Sequence, residues 1–465
     1  MRRFLVLTAI ALFIFVQRVH AAETKAPSRP NVLFIAIDDL RDWVGYLGHN
    51  PQTRTPNIDR LAARGVAFTR SYCAAPVCNA SRAALMSGLR PSTTGVYENN
   101  ADWRPAVPEN LTLCTTFRNA GYYVAGSGKI YHEAYKRRSE WDDYLDKEGP
   151  SPSPAKADLV DLGGLRWGPV DCKDEDLADY RIVSYAIEQL QKPHDKPMFL
   201  ACGLHKPHLP WFVPRKYFDE FPLDQIQLPP HIDNDLDDVP AEGVRLAHKA
   251  NDHKHVTEAG KWKDAVRAYL AATAYTDMNI GRLLDAFDKS PYRDNTIICL
   301  WCDHGWHLGE KEHWRKFALW EEATRSPLIW VVPGVTQPHG VCERTVDFMT
   351  LYPTLCDLCN IPIPKHVEGP SIRSLLANPS AEWATPALMT YLRNNHAVRS
   401  ERWRYIHYFD GGEELYDHAT DPNEWTNLAN KPELAPVKAD LAKLFPTTNH
   451  ADLGRKGSKR GEEER

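Results

Sequence analysis

Beyond its first two dozen residues, this 465-residue chain has no apolar run long enough to cross a bilayer, and no internal repeat is evident. Basic charge is not in excess: 56 Lys and Arg against 61 Asp and Glu leave a formal net charge of −5. That excludes the global field suited to nucleic acid, so a polyanionic partner must be met by local cations. A structural zinc site is also missing its parts, because the Cys356-x-x-Cys359 spacing has no second ligand pair. Hydrophobic content of 43% and charged content of 25% are those of an ordinary globular protein. The length exceeds what one core serves, so a large domain and a smaller one are expected.

The exception to the missing apolar runs is the start. Arg2 and Arg3 precede an apolar stretch from Phe4 to Val16, then small residues at Ala21 and Ala22. This three-part pattern reads as a secretory signal over residues 1–22, with a retained amphipathic anchor as the alternative. Export to the periplasm or the medium would leave no membrane span and would permit disulfides among the ten cysteines. Their spacing fixes no pairing. Cys299 and Cys302 fall in an expected strand and Cys356 and Cys359 on an expected helix, so small core residues are the plainer reading.

Strands and helices alternate after the signal. "NVLFIAI" (31–37) is a continuous apolar run, as in a strand buried on both faces. A helix near 57–64 stops at Gly65, and helices near 112–121, 174–191, 261–288 and 318–324 lead into the apolar runs "YYVAGSG", "PMFLACGL", "TIICLWCD" and "SPLIWVV". This predicts an α/β fold, with a large, mostly parallel sheet sandwiched by helices. Pro-, Asp- and Gly-rich stretches at 150–171 and 222–251 read as long loops over an active face. Past residue 378 the pattern becomes a small antiparallel sheet with a helix, a smaller α+β subdomain over 378–450 after a catalytic domain over 23–377. The charged end, 451–465, reads as disordered.

Three places look chemical. Cys78 begins "CNASRAALMSG", a thiol at a helix start, where unpaired N–H groups and the helix dipole favour anions and reactive thiolates. Asp38-Asp39 and Asp303-His304 stand at the carboxyl ends of two expected strands, the rim where open parallel sheets bind ligands. Adjacent carboxylates there need a cation or many hydrogen bonds, and three carboxylates suit calcium, with magnesium second. A capped turn is the alternative for Asp38-Asp39, as an unmodified core thiol is for Cys78. The cations and histidines are Arg82, Lys129 and His132 in "GSGKIYH", Lys206 and His208 in "HKPHLPWF", and Lys316 in "EHWRKF". Taken singly, each reads as a solvated charge or a loop residue.

Together, these segments resemble the type I sulfatases, whose signature is Cys-x-Pro-Ser-Arg. Here Ala80 replaces the proline, and "SGLR" ends the motif. "DHGWHLGE", with histidine at 304, is similar to the iduronate-2-sulfatase branch, and "LYDHATDPNEWTNLA" to the family's carboxy-terminal region. The resemblance implies an alkaline phosphatase-like fold and an exported enzyme that hydrolyses sulfate esters of a sulfated uronic acid or related glycan. It implies that a maturation enzyme oxidises Cys78 to formylglycine, and that Asp38, Asp39, Asp303 and His304, with the modified residue 78, hold the metal. In the implied roles the hydrated aldehyde attacks sulfur, oriented by Arg82 and the metal. His208 protonates the leaving oxygen, Lys316 holds the sulfate, His132 deprotonates the second hydroxyl and Lys129 assists. Lys206, Trp211 and Trp306 are candidate substrate contacts, with core packing the alternative for the tryptophans, and Arg215 and Lys216 are candidates for a neighbouring anion. The alternatives are a phosphonate monoester hydrolase or phosphodiesterase of the same superfamily, and a noncatalytic glycan-binding pseudosulfatase.

Overall fold

The computed structural model describes residues 29–132 and 135–455; the expected signal at 1–22 and residues 456–465 lie outside them. The large sheet is built from β1 (Asn31–Asp38), β2 (Val66–Phe68), β3 (Tyr123–Gly128), β4 (Asp143–Tyr144), β5 (Met198–Pro207), β6 (Thr296–Cys302), β7 (Leu328–Val331) and β8 (Gly340–Cys342). Their order across the sheet is β8-β2-β7-β6-β1-β5-β3-β4. β7 runs antiparallel to both its neighbours, and every other pairing is parallel. The mixed, mostly parallel α/β sheet expected from the alternating pattern is therefore present.

β1 is apolar from Val32 to Ile37, because both of its faces are covered. Val32, Phe34 and Ala36 join one core, with the helix α1 (Cys78–Ser87), and Leu33, Ile35 and Ile37 join the other. That second core takes Ile182, Val183 and Ala186 from α2 (Ala178–Gln191) and Ile280, Leu283 and Leu284 from the long helix α3 (Trp262–Asp288). All ten cysteines are free thiols, and nine of them are buried.

Both expected loops contain structure. Val160–Leu162 and Leu165–Val170 form a hairpin that pairs with Trp211–Pro214, and 222–251 contains the helix Ala241–Ala247. The hairpin escaped the sequence reading because its turn, Gly163-Gly164, sits in Pro- and Asp-rich chain. At the C-terminal end, Ala387–Thr390, His396–Arg399, Trp403–His407 and Glu413–Asp417 form an antiparallel sheet, joined by the helix Ala435–Ala442. Of the expected disordered end, residues 451–455 are described, and the Leu453 amide donates to Gly95 O at 3.0 Å. Among the described residues, no helix is long and apolar enough to cross a membrane.

Candidate active site

The carboxyl ends of β1, β3, β5 and β6 meet around Cys78. β1 ends in Asp38, and Asp39 turns the chain with φ 59°, a left-handed conformation uncommon outside glycine. Tyr269 of α3 fixes this turn: its hydroxyl donates to Asp39 O and accepts from the Arg41 amide, both at 2.9 Å. β3 delivers Lys129 through a close approach to β5. Gly128 has φ 72°, and a Cβ there would lie 1.9 Å from Gly203 O, while the Lys129 amide donates to that same oxygen at 2.9 Å. Beyond β6, the Gly305 and Trp306 amides donate to the carbonyls of Ala323 and Glu322, which holds the Asp303-His304 corner.

Cys78 is the first residue of α1, and its Sγ lies 3.3 Å from Nε2 of His304. Nδ1 of that ring lies 3.0 Å from Gly305 O, which fixes the ring so that Nε2 faces the thiol, with Asp39 at 3.5 Å and Asp303 at 3.6 Å. One turn along α1, Arg82 donates to Asp303 from Nε at 2.9 Å and to Asp38 from Nη2 at 3.2 Å. Lys129 Nζ reaches Asp38 at 2.5 Å, and Lys316 Nζ reaches Asp39 at 3.2 and 3.4 Å. His208 Nε2 lies 3.8 Å from Asp39, and its Nδ1 lies 2.5 Å from Leu209 O. All the groups of this cage except His208 are buried.

Burial alone would raise both neighbouring aspartates, and they part company through their partners. Asp38 is held well below the usual carboxylate range, because Lys129, His208 and Arg82 outweigh its burial. Asp39 is pushed well above it by burial, with Asp38 adding to the push and Lys316 only partly opposing it. Burial should disfavour a proton on His304, yet Asp303, Cys78 and Asp39 together raise it to about 9.

A family model, Sulfatase, matches residues 30–361, most of the chain. The chain belongs to the sulfatase family. A second model, N-sulphoglucosamine sulphohydrolase C-terminal, matches residues 309–450. A sulfatase of Formosa agariphila is 38% identical over 451 residues, covering 91% of this chain and 88% of the relative. Iduronate 2-sulfatase of Mus musculus is 30% identical, covering 73% and 70%. A Delta 4,5-hexuronate-2-O-sulfatase of Bacteroides thetaiotaomicron is 29% identical, covering 91% and 89%. The phosphonate monoester hydrolase of Agrobacterium radiobacter superimposes with a TM-score of 0.75 over 89% of this chain and 94% of its own, at 21% identity, and shares the fold.

The donor set fits the metal that sulfatases use. Asp38, Cys78, Asp303 and His304 bring their ligand atoms within 4.8 Å of one another, and so do Asp38, Asp39, Cys78 and His208. Each set holds two carboxylates, three between them with Asp38 shared, and carboxylate oxygens favour a hard divalent ion.

Beside the cage opens a cleft of about 390 Å³, whose wall includes Lys129, Lys206, His208, Trp306 and Lys316. Lys206 is tied down, its Nζ donating to Pro210 O at 2.6 Å, and burial pushes its ammonium down to about 8. Trp306 lies under Lys316, whose Nζ is 5.1 Å from the ring centroid. The ring of His132 faces Tyr135, with centroids 6.3 Å apart. Trp211 takes the core-packing alternative. Its ring is fully buried between Trp167, Tyr269 and Trp306, and its indole N–H donates to Pro207 O at 2.7 Å, so it buttresses the His208 loop from behind. Arg215 and Lys216 are likewise taken up, by Asp158 and Asp171 and by Asp174. The sequence reading missed Tyr269 and the Ala323 and Glu322 carbonyls, because these supports come from distant chain positions with no local signature.

Proposed function

We propose that this chain is an exported hydrolase of sulfate esters on a sulfated carbohydrate, with an iduronate-2-sulfatase-like preference for a sulfated uronic acid. The observation that carries the reading is the Cys78 Sγ 3.3 Å from His304 Nε2, inside three carboxylates and bordered by Arg82, Lys129 and Lys316. Formylglycine made from Cys78 by a maturation enzyme would supply a hydrated aldehyde as nucleophile. Calcium, with magnesium second, held by Asp38, Asp39, Asp303, His304 and residue 78, would supply positive charge for the sulfate oxygens. The iduronate and hexuronate sulfatases among the relatives support the choice of a uronic acid.

The residues divide the remaining work. Lys316 and Lys129 extend into the cleft as ammonium groups that neutralise sulfate charge as it shifts toward the leaving oxygen. Arg82, buried and doubly bonded to carboxylates, orients the cage. His208 presents Nε2 to the same space and is placed to give a proton to the departing sugar oxygen. Partial burial of the ring, with the Lys129 and Lys316 ammonium groups beside it, disfavours a proton on the free imidazole, and the negative charge of a bound substrate would favour one. His132 is the candidate base for turnover of residue 78.

A panel of defined sulfated disaccharides, assayed with calcium beside matched phosphate and phosphonate esters, tests the reading. Turnover of a uronate 2-sulfate with little phosphate or phosphonate ester hydrolysis supports it. Preference for the phosphorus esters, or no turnover of any sulfate, overturns it.

A further inference from the structure

One stretch of the cleft wall is left unused by sulfate chemistry: Gly164, Arg166, Phe212 and Arg315. Gly164 and Arg166 belong to the hairpin that the sequence hid. The turn is left-handed at both glycines, φ 64° at Gly163 and 92° at Gly164. The second strand pairs in parallel with the chain just after His208, Trp167 opposite Trp211 and Gly168 opposite Phe212. Arg315, held to Asp252 at 2.7 and 3.2 Å, donates to Gly163 O at 3.2 Å, and the next residue is Lys316. The hairpin is thus fixed from both sides of the cage.

The cations on the wall differ in how well they are matched. Lys129 and Lys316 face aspartates of the cage, Arg315 is bidentate with Asp252, and Lys206 bonds two carbonyls. Arg166 is the loosest: its Nε lies 3.5 Å from Asp161 and makes no hydrogen bond, and 36% of its side chain is exposed. Its guanidinium carbon stands 5.5 Å from the Phe212 ring centroid. A planar fork of donors suits carboxylate or sulfate, and the buried Phe212 ring backs the guanidinium and limits its swing.

We propose that Arg166, backed by Phe212, is a specificity-determining residue that binds a second oxyanion of the sugar, a carboxylate or another sulfate, while the ester sulfate occupies the Cys78 cage. This deepens the sulfatase reading and rests on it for the position of the sugar.

The test compares wild type with Arg166→Gln and Arg166→Lys. The substrates are a monosulfated uronate disaccharide, its carboxyl-reduced counterpart, and a disulfated disaccharide without uronate. For a carboxylate, the preference in kcat/KM for the uronate over the reduced form falls about 10-fold or more in R166Q and is partly restored in R166K. For a second sulfate, the same fall appears only with the disulfated substrate. Unchanged preferences in both arms overturn the proposal. Calorimetric binding of the desulfated uronate disaccharide and of a monosulfated product of the disulfated one needs no turnover. A weaker Kd of similar size in R166Q for either supports the subsite even where the wild type cleaves nothing. Inactive wild type would thus count against the sulfatase reading, and unaltered binding of both ligands against Arg166.

Discussion

Arg82 Nε donates to Asp303 at 2.9 Å, which locks the helix that begins at Cys78 to the strand end that carries His304. Nη2 of the same guanidinium reaches Asp38, the end of the central strand. One side chain thus ties together the three pieces of chain that supply the cage.

Removing that side chain should be costly in the metal-free protein. Arg82→Ala leaves Asp38 and Asp303 buried with less compensating charge, and loss of one partner of a buried pair costs about 3–5 kcal/mol. Chelator-treated wild type and variant should differ by that amount in urea unfolding. Arg82→Lys keeps the charge but cannot span both carboxylates, so it should recover only part of the loss. Equal stability of wild type and R82A would show that the guanidinium is not what holds the cage.

Asp303 tests the metal assignment. Asp303→Ala removes one of three carboxylates and frees Arg82 Nε, so bound calcium and sulfate-ester turnover should fall together. Elemental analysis of purified protein beside an activity assay reads both quantities. Unchanged calcium content with lost activity would separate Asp303 from metal binding.

Much of this site was legible in the sequence because its residues stand in short motifs at strand ends. Asp38-Asp39 follows an apolar run that reads as a doubly covered strand, and Asp303-His304 follows another, and the two strands pair side by side in the sheet. What was hidden depends on contacts between distant segments. The hairpin of Arg166 turns at Gly163-Gly164 within chain whose composition reads as loop, and its pairing with Trp211–Pro214 has no local signal. Burial decided Trp211, which backs the site where an aromatic beside a catalytic motif suggested a sugar contact. The acid-rich segment 158–174 decided Arg215 and Lys216, whose charges are matched there.

The C-terminal subdomain has its own pH sensitivity. Burial, with His407 adding to it, pushes His396 down to about 4 from an ordinary value near 6.5, and its Nδ1 lies 3.0 Å from the Thr390 hydroxyl. Between those values the unfolded chain binds a proton that the folded chain refuses. The contribution of His396 is therefore fully present above pH 6.5 and is lost as pH falls toward 4, about 3 kcal/mol in all. Urea unfolding at pH 7.5 and pH 5 should show a smaller difference for His396→Phe than for wild type. An equal difference would mean that the buried ring takes up its proton as readily as a free one.

In the proposed mechanism the residue at position 78 works as an aldehyde beside a divalent ion. Intact peptide mass across residue 78, taken from protein that is turning over a sulfate ester, addresses this directly. Peptide from active protein should carry an aldehyde in place of the Cys78 CH2–SH group, sulfur exchanged for oxygen and two hydrogens lost, in step with activity. Active protein whose peptide keeps an unmodified thiol at that position would contradict it.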